Sequence, residues 1–193
     1  MTHVKLLKLI IPVLLVAATG IVWSAATHKP PTAAEIKAAK QGGTRIAVID
    51  TVKGKMTMEL YGAKAPITVA SFIKLAKAKY FDGLKFHRVV PNFVIQDGDP
   101  TGTGGGGPGY TIKDEKSGLL HDKGSVGMAK PGDQRTGKPV PNSAGSQYYI
   151  CLSPAHFLDA DYTVFAKVVK GMEVAPKIQQ GDKIKSITIL PKK

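Results

Sequence analysis

Lys55 to Leu60 alternates without a break: Met56, Met58 and Leu60 fall on one face, Lys55, Thr57 and Glu59 on the other. Successive side chains of an extended chain point to opposite faces, so this run is a strand with one buried face. Thr44 to Thr51 is rich in β-branched residues, and Lys53-Gly54 supplies the turn of a hairpin between the two. Further short strand candidates follow at Phe86–Val90, Phe93–Gln96, Ser125–Ala129, Ser146–Leu152 and Thr163–Val169, and Lys183–Leu190 is a last alternating run. Two stretches read as helices. Pro66 suits a first helical turn, and Val69, Phe72, Ile73 and Ala76 recur at helical spacing. Met172–Gln180 is the second, despite Pro176. Many short strands with two helices predict a mainly β fold, a closed barrel capped by the helices.

Composition supports one folded domain. The chain has 193 residues, of which 43% are hydrophobic and 21% charged, as in an ordinary globular protein. The single cysteine, Cys151, can make no intramolecular disulfide, and its apolar neighbours favour a buried, inert thiol. The net charge is +13. From Thr44 onward 22 Lys and Arg stand against 13 Asp and Glu, so the folded part is itself basic. No dense basic run interleaved with aromatics appears, so a solvated Lys-rich surface is the expectation and nucleic acid is not an expected partner.

The first residues read differently. His3, Lys5 and Lys8 precede an uncharged stretch from Leu9 to Thr27, the pattern of a secretory signal. Ser24-Ala25-Ala26 offers small residues for cleavage before Thr27. The stretch has 19 residues and includes Pro12 and Gly20, marginal for a membrane span, which needs about 20 apolar residues. Residues 1–26 are therefore a signal peptide or a membrane anchor, 27–43 a linker in which Ala33–Lys40 could form a short helix but lacks a clear apolar stripe, and 44–193 the domain. Either route implies export, with the bacterial periplasm as the expected location.

Two segments carry chemistry. In Phe81–Asp99, two strands meet at Pro91-Asn92, and His87, Arg88 and Gln96 sit among Phe and Val. Such a surface can hold an apolar group while polar donors orient it. It can equally be a barrel hairpin with an exposed Arg. In Asn142–Ile150, alternation puts Gln147 and Tyr149 on one face and Tyr148 and Ile150 on the other, so one pair can line a site while the other fills the core.

Together these segments resemble the cyclophilin family of peptidyl-prolyl cis–trans isomerases, in its bacterial-like branch. The Phe-His-Arg, Phe-x-x-Gln and Gly-Asp elements occur in family order. The Gly-rich Thr101–Gly109 stretch, Gly127-Met128-Ala129, Asn142–Gln147 and Phe157-Leu158-Asp159 follow. The resemblance spans about Thr44 to Leu190. It implies an eight-stranded antiparallel barrel capped by two α-helices, rotation about X-Pro bonds without a cofactor, proline-containing polypeptides as substrates, and a monomer. It makes Arg88 the catalytic residue. Phe93, Val94, Tyr149 and Leu158 become walls of a proline pocket, and His87, Gln96, Gly102, Ala129, Gln147, Phe157 and Tyr162 other groove positions.

The departures from the family pattern are informative. Asp97 replaces a small residue. Tyr149 replaces Phe and brings a hydroxyl to an apolar pocket. Phe157 stands where cyclosporin-sensitive members carry Trp, which implies weak cyclosporin binding. Lys130–Pro141 is longer than the usual connection. Other chemistries fit poorly. Gly104–Gly107 lacks the Lys-Ser/Thr of a phosphate loop, no zinc or EF-hand ligand spacing is present, and no nucleophile elbow occurs. His121 and His156 read as loop histidines.

Overall fold

The computed structural model describes residues 28–190; the signal or anchor stretch lies outside them. Strand β1 (Arg45–Thr51) and β2 (Gly54–Leu60) form the expected hairpin, but its turn is Val52-Lys53, with Thr51 opposite Gly54. The Thr51 hydroxyl fixes that turn, donating to the Gly54 carbonyl at 2.8 Å and accepting from the Lys53 N–H at 3.1 Å. Met56, Met58 and Leu60 are fully buried, as their alternation requires.

Six further strands complete one sheet: β3 (Arg88–Val90), β4 (Val94–Asp97), β5 (Ser125–Met128), β6 (Tyr148–Cys151), β7 (Val164–Lys170) and β8 (Ile184–Ile189). All pairings are antiparallel, in the order β3-β4-β6-β5-β7-β2-β1-β8. The ladder does not close strand to strand, so the eight strands make a curled half-barrel and not the fully closed barrel expected. The seam between its ends is bridged by irregular backbone. Phe86 N–H donates to the Asp182 carbonyl at 2.9 Å, and Gly83 N–H to the Ile184 carbonyl at 2.8 Å. Gly83 and Gly181 both hold positive φ there, which turns the chains out of strand geometry.

Helix α2 (Pro66–Lys77) covers the sheet. Its Phe72 stacks on Phe81 at 5.1 Å and meets Tyr148 and Phe165 at 5.6 and 5.4 Å. Full burial of such a side chain contributes about 1.5–3 kcal/mol. Ala65 at the N-cap has no side chain to satisfy the free N–H groups. Glu115 does so from 47 residues away: its carboxylate accepts from Ile67 N–H at 2.9 Å, Thr68 N–H at 2.8 Å and the Thr68 hydroxyl at 2.7 Å.

The other helix is not at Met172–Gln180, where only a 3₁₀ turn, Ala175–Lys177, forms. Pro176 supplies no N–H to continue it. Instead α1 (Ala33–Gln41) folds inside the stretch expected as a linker. Thr32 and Glu35 form a capping box, and α1 docks on α2 through Ala39 and a Lys74–Glu35 ion pair of 3.1 Å. Ile36 also packs against the core, and Gly62, after β2, leaves no room for a Cβ against the Ala39 backbone. No helix among the described residues is long and apolar enough to cross a membrane.

Candidate active site on the outer face of the sheet

The period of two divides β4 and β6 between two cores. Ile95, Tyr148 and Ile150 point into the main core. Val94, Tyr149 and Cys151 point the other way and, with Ala155, make a second, smaller apolar cluster, flanked by Phe93, Ala129, Leu158 and Tyr162. Register then builds a row across four strands: Arg88 on β3 faces Gln96 on β4, which faces Tyr149 on β6, which faces Gly127 on β5.

A cavity of about 270 Å³ opens on this row, lined by Arg88, Phe93, Val94, Gln96, Ala129, Lys130, Tyr149, Leu158 and Tyr162. Arg88 is exposed at its rim. Its guanidinium lies 5.7 Å from the Phe93 ring centroid, and Nη1 donates to Gln96 Oε1 at 3.4 Å. Gln96 in turn donates to Gln147 Oε1 at 2.9 Å, and Gln147 Nε2 donates to the Gly104 and Gly106 carbonyls, both at 2.8 Å. This chain ties the arginine to the Gly-rich loop. Asp99 shapes that loop, accepting from Thr101 N–H at 2.7 Å and from its hydroxyl at 2.8 Å. Burial opposes its ionisation, yet hydrogen bonds from Thr101, Gly106 and Gly104 hold its carboxyl below the ordinary range.

Eight of the twelve residues expected in the site line the cavity: Arg88, Phe93, Val94, Gln96, Ala129, Tyr149, Leu158 and Tyr162. Gln147 lines an adjoining cavity of about 490 Å³ under the Gly-rich loop. Phe157 is 73% exposed and stacks on Phe93 at 5.7 Å, outside the pocket lining. Gly102 sits exposed on the loop and lines neither cavity. His87 also lines neither, because alternation turns it away from Arg88. Both of its ring nitrogens are enclosed without a hydrogen-bond partner, and burial lowers its pKa.

Two participants were not among the expected site residues. Lys130 lines both cavities, its ammonium 2.8 Å from Asp114 and 5.4 Å from the Tyr162 ring centroid. His121 lies in a loop as expected, but it is fully buried, with Nε2 2.8 Å from the Tyr149 hydroxyl and Nδ1 2.6 Å from Asp159. A tyrosine hydroxyl in an apolar pocket demands a partner, and that was the available signal. Cys151 is buried as expected, and burial pushes its thiol up to about 12. Among the described residues no group of three or more His, Cys, Asp or Glu could hold a metal ion.

An eight-stranded antiparallel half-barrel with an arginine beside an apolar pocket on its outer face defines a cyclophilin-fold isomerase. Residues 46–191 match the family described as cyclophilin type peptidyl-prolyl cis-trans isomerase/CLD. The chain belongs to this family and is a peptidyl-prolyl cis–trans isomerase. It is 41% identical to the Helicobacter pylori peptidyl-prolyl cis-trans isomerase over 79% of its own length and 91% of that protein. It is 44% identical to peptidyl-prolyl cis-trans isomerase B of Bacillus subtilis, over 70% and 90%. A crystal structure of a cyclophilin-type isomerase from Cryptosporidium parvum superposes with a TM-score of 0.69 at 30% identity, covering 78% of this chain and 99% of that one. The same protein has been crystallised in the presence of the dipeptide Ala-Pro.

Proposed function

We propose that Arg88 catalyses rotation about X-Pro bonds in exported polypeptides by stabilising the twisted amide nitrogen. Amide resonance sets an uncatalysed barrier of roughly 18–20 kcal/mol, and X-Pro isomers interconvert in tens to hundreds of seconds. In the planar ground state the prolyl nitrogen is a poor acceptor. In the twisted state it is pyramidal and carries a lone pair. A guanidinium is permanently charged and rich in donors, so its bond to that nitrogen strengthens as the amide twists, which is the condition for catalysis. The apolar walls Phe93, Val94, Tyr149 and Leu158 hold the proline ring, and Gln96 orients Arg88. No covalent step and no cofactor enter.

The observation that carries this reading is the placement of an exposed guanidinium, steadied by Gln96 and Phe93, on the cavity walled by Phe93, Val94, Tyr149 and Leu158. Its test is isomerisation of an Ala-Pro peptide by exchange NMR in wild type and Arg88→Ala, free of any coupled protease. Retained turnover in the variant sinks the assignment.

Export rests on the sequence of residues 1–27 alone: basic residues, an uncharged run, then Ser24-Ala25-Ala26. N-terminal sequencing and fractionation of the protein from its native host separate a cleaved signal from a retained anchor. A cytoplasmic, unprocessed chain refutes export.

A further inference from the structure

The small cluster behind the pocket contains a polar chain that isomerisation chemistry does not call for. Tyr149 forms the pocket floor and is 5% exposed. Its ring lies parallel to the fully buried His121 ring, with centroids 5.9 Å apart at 18°. The hydroxyl is 2.8 Å from His121 Nε2, and His121 Nδ1 is 2.6 Å from Asp159 Oδ1. The backbone repeats the link: His121 N–H donates to Asp159 Oδ1 at 2.8 Å, and the His121 carbonyl accepts from Ala155 N–H at 2.7 Å. Ala155 and Asp159 bracket the 3₁₀ turn His156–Leu158, which carries Phe157 and the pocket wall Leu158. Gly127, opposite Tyr149 on β5, makes the geometry possible. A Cβ there would meet the end of the tyrosine ring at 2.6 Å.

We propose that His121 is a positioning residue for the proline pocket, locking its floor, Tyr149, to its wall, Leu158, through the Tyr149–His121–Asp159 chain. This rests on the reading of that cavity as the proline pocket. The tautomer follows from the partners. Asp159 can only accept, so Nδ1 carries the proton; Nε2 then accepts from the Tyr149 O–H. The hydroxyl is thereby consumed on the far side of the ring, and the substrate meets only an apolar face. Burial lowers the pKa of His121 against the opposing pull of Asp159, and burial raises that of Tyr149, so both stay neutral donors and acceptors. The ionisable groups around them are Asp159, His156, Asp122, Lys167, Cys151 and Tyr162.

The test uses the full chain with ¹⁵N-labelled histidine, titrated with an Ala-Pro peptide at neutral pH. His121 should show a protonated Nδ1 and an acceptor Nε2, and the Nε2 resonance should move on saturation together with the Val94 and Ala129 methyl signals. Movement of the methyls without His121 overturns the inference and leaves the pocket standing. Stillness of all three overturns the pocket as well. Tyr149→Phe removes a single oxygen and should abolish the His121 response; a persisting response refutes coupling through the hydroxyl. In kinetics, His121→Phe strands the hydroxyl in the pocket floor, so KM should rise roughly fivefold to tenfold, with the loss falling on KM more than on kcat. Adding Tyr149→Phe to it should recover most of that loss. An uncoupled pair, in which the two losses simply multiply, refutes the proposal.

Discussion

Gln96 accepts a hydrogen bond from the Arg88 guanidinium at 3.4 Å while donating to Gln147 at 2.9 Å. One cross-strand pair, extended by Gln147, therefore joins β3 to the Gly-rich loop. Arg88 is exposed and buries no partner, so the fold does not depend on it.

Arg88→Ala should lower kcat/KM by tenfold or more with an unchanged melting temperature. Loss of one preorganised donor removes about 2.7–4 kcal/mol in enclosed active sites. An open groove sets the lower end of the effect. Arg88→Lys should recover only part, since an ammonium cannot copy the planar fork that reaches Gln96 and Phe93 together. Exchange NMR on a Pro-peptide and calorimetry on the same samples decide both points.

Glu115→Ala should destabilise the domain by about 1–2 kcal/mol, the range of a lost helix cap with charge-assisted bonds. Three donors at the start of α2 lose their acceptor at once, and Ala65 offers no substitute. Urea unfolding measures the loss. Glu115→Gln, which keeps an acceptor but no charge, should fall between the two.

Much of this was legible because its cause is local. Met56, Met58 and Leu60 declare a strand by alternation alone, and all eight strands form within about two residues of the stretches read as strand candidates. The split of Tyr148 from Tyr149 between two cores follows from the same period. Features that failed to show depend on distant partners. Helix α1 was legible only as a possible short helix, because without an apolar stripe its docking through Ala39 and a lysine on another helix could not be read. His121 reads as a loop residue until the fold brings Tyr149, 28 positions on, against it. Pro176 was the local sign that Met172–Gln180 would not continue as a helix.

Asp97 should make stability fall as pH rises. Burial pushes its carboxyl from 3.8 to about 7, and Oδ2 has no partner. The folded state therefore holds a proton that the unfolded chain has released between about pH 4 and 7. With more protons bound in the folded state, stability declines across that window as pH increases. His87 and His121, lowered by burial, act in the opposite sense below about 6.5, so the comparison must be with a variant. Asp97→Asn should flatten the wild-type decline and be the more stable protein at pH 8, by an amount on the order of a few kcal/mol. Equal pH slopes in the two proteins would refute the buried acid.

The Lys130–Pro141 loop should set a preference for acidic residues near the proline. Pro131 lines the cavity under the Gly-rich loop, and Pro139 and Pro141 line a further one beside Tyr162. Lys130 is neutralised by Asp114, and Asp133 is occupied by Thr136 and Arg135 backbone within the loop. Arg135 and Lys138 remain exposed. Glu-bearing peptides should turn over faster than Lys-bearing ones at low ionic strength, and salt should erase the difference. The double variant Arg135→Ala/Lys138→Ala should erase it without salt.

Phe157 should make cyclosporin a weak inhibitor. Sensitive relatives, by the family pattern, hold Trp at this position, whose indole N–H donates to the ligand. Phe157 is 73% exposed and stacks on Phe93 at the mouth of the pocket, so it presents an apolar face with no donor. A missing neutral hydrogen bond is worth roughly 0.5–1.5 kcal/mol, more if the ligand's acceptor is left dry. Smaller aromatic contact adds to the loss. Each 1.4 kcal/mol is about tenfold in affinity, so inhibition should be weaker by one to two orders of magnitude than in a Trp-bearing relative. Phe157→Trp should tighten cyclosporin binding by calorimetry while turnover changes little, because Arg88 and the pocket walls stay as they are. The exposed site leaves room for the larger ring. If the substitution fails to tighten binding, the obstacle lies in the long loop beside the groove, and trimming residues 132–138 is the variant that should relieve it.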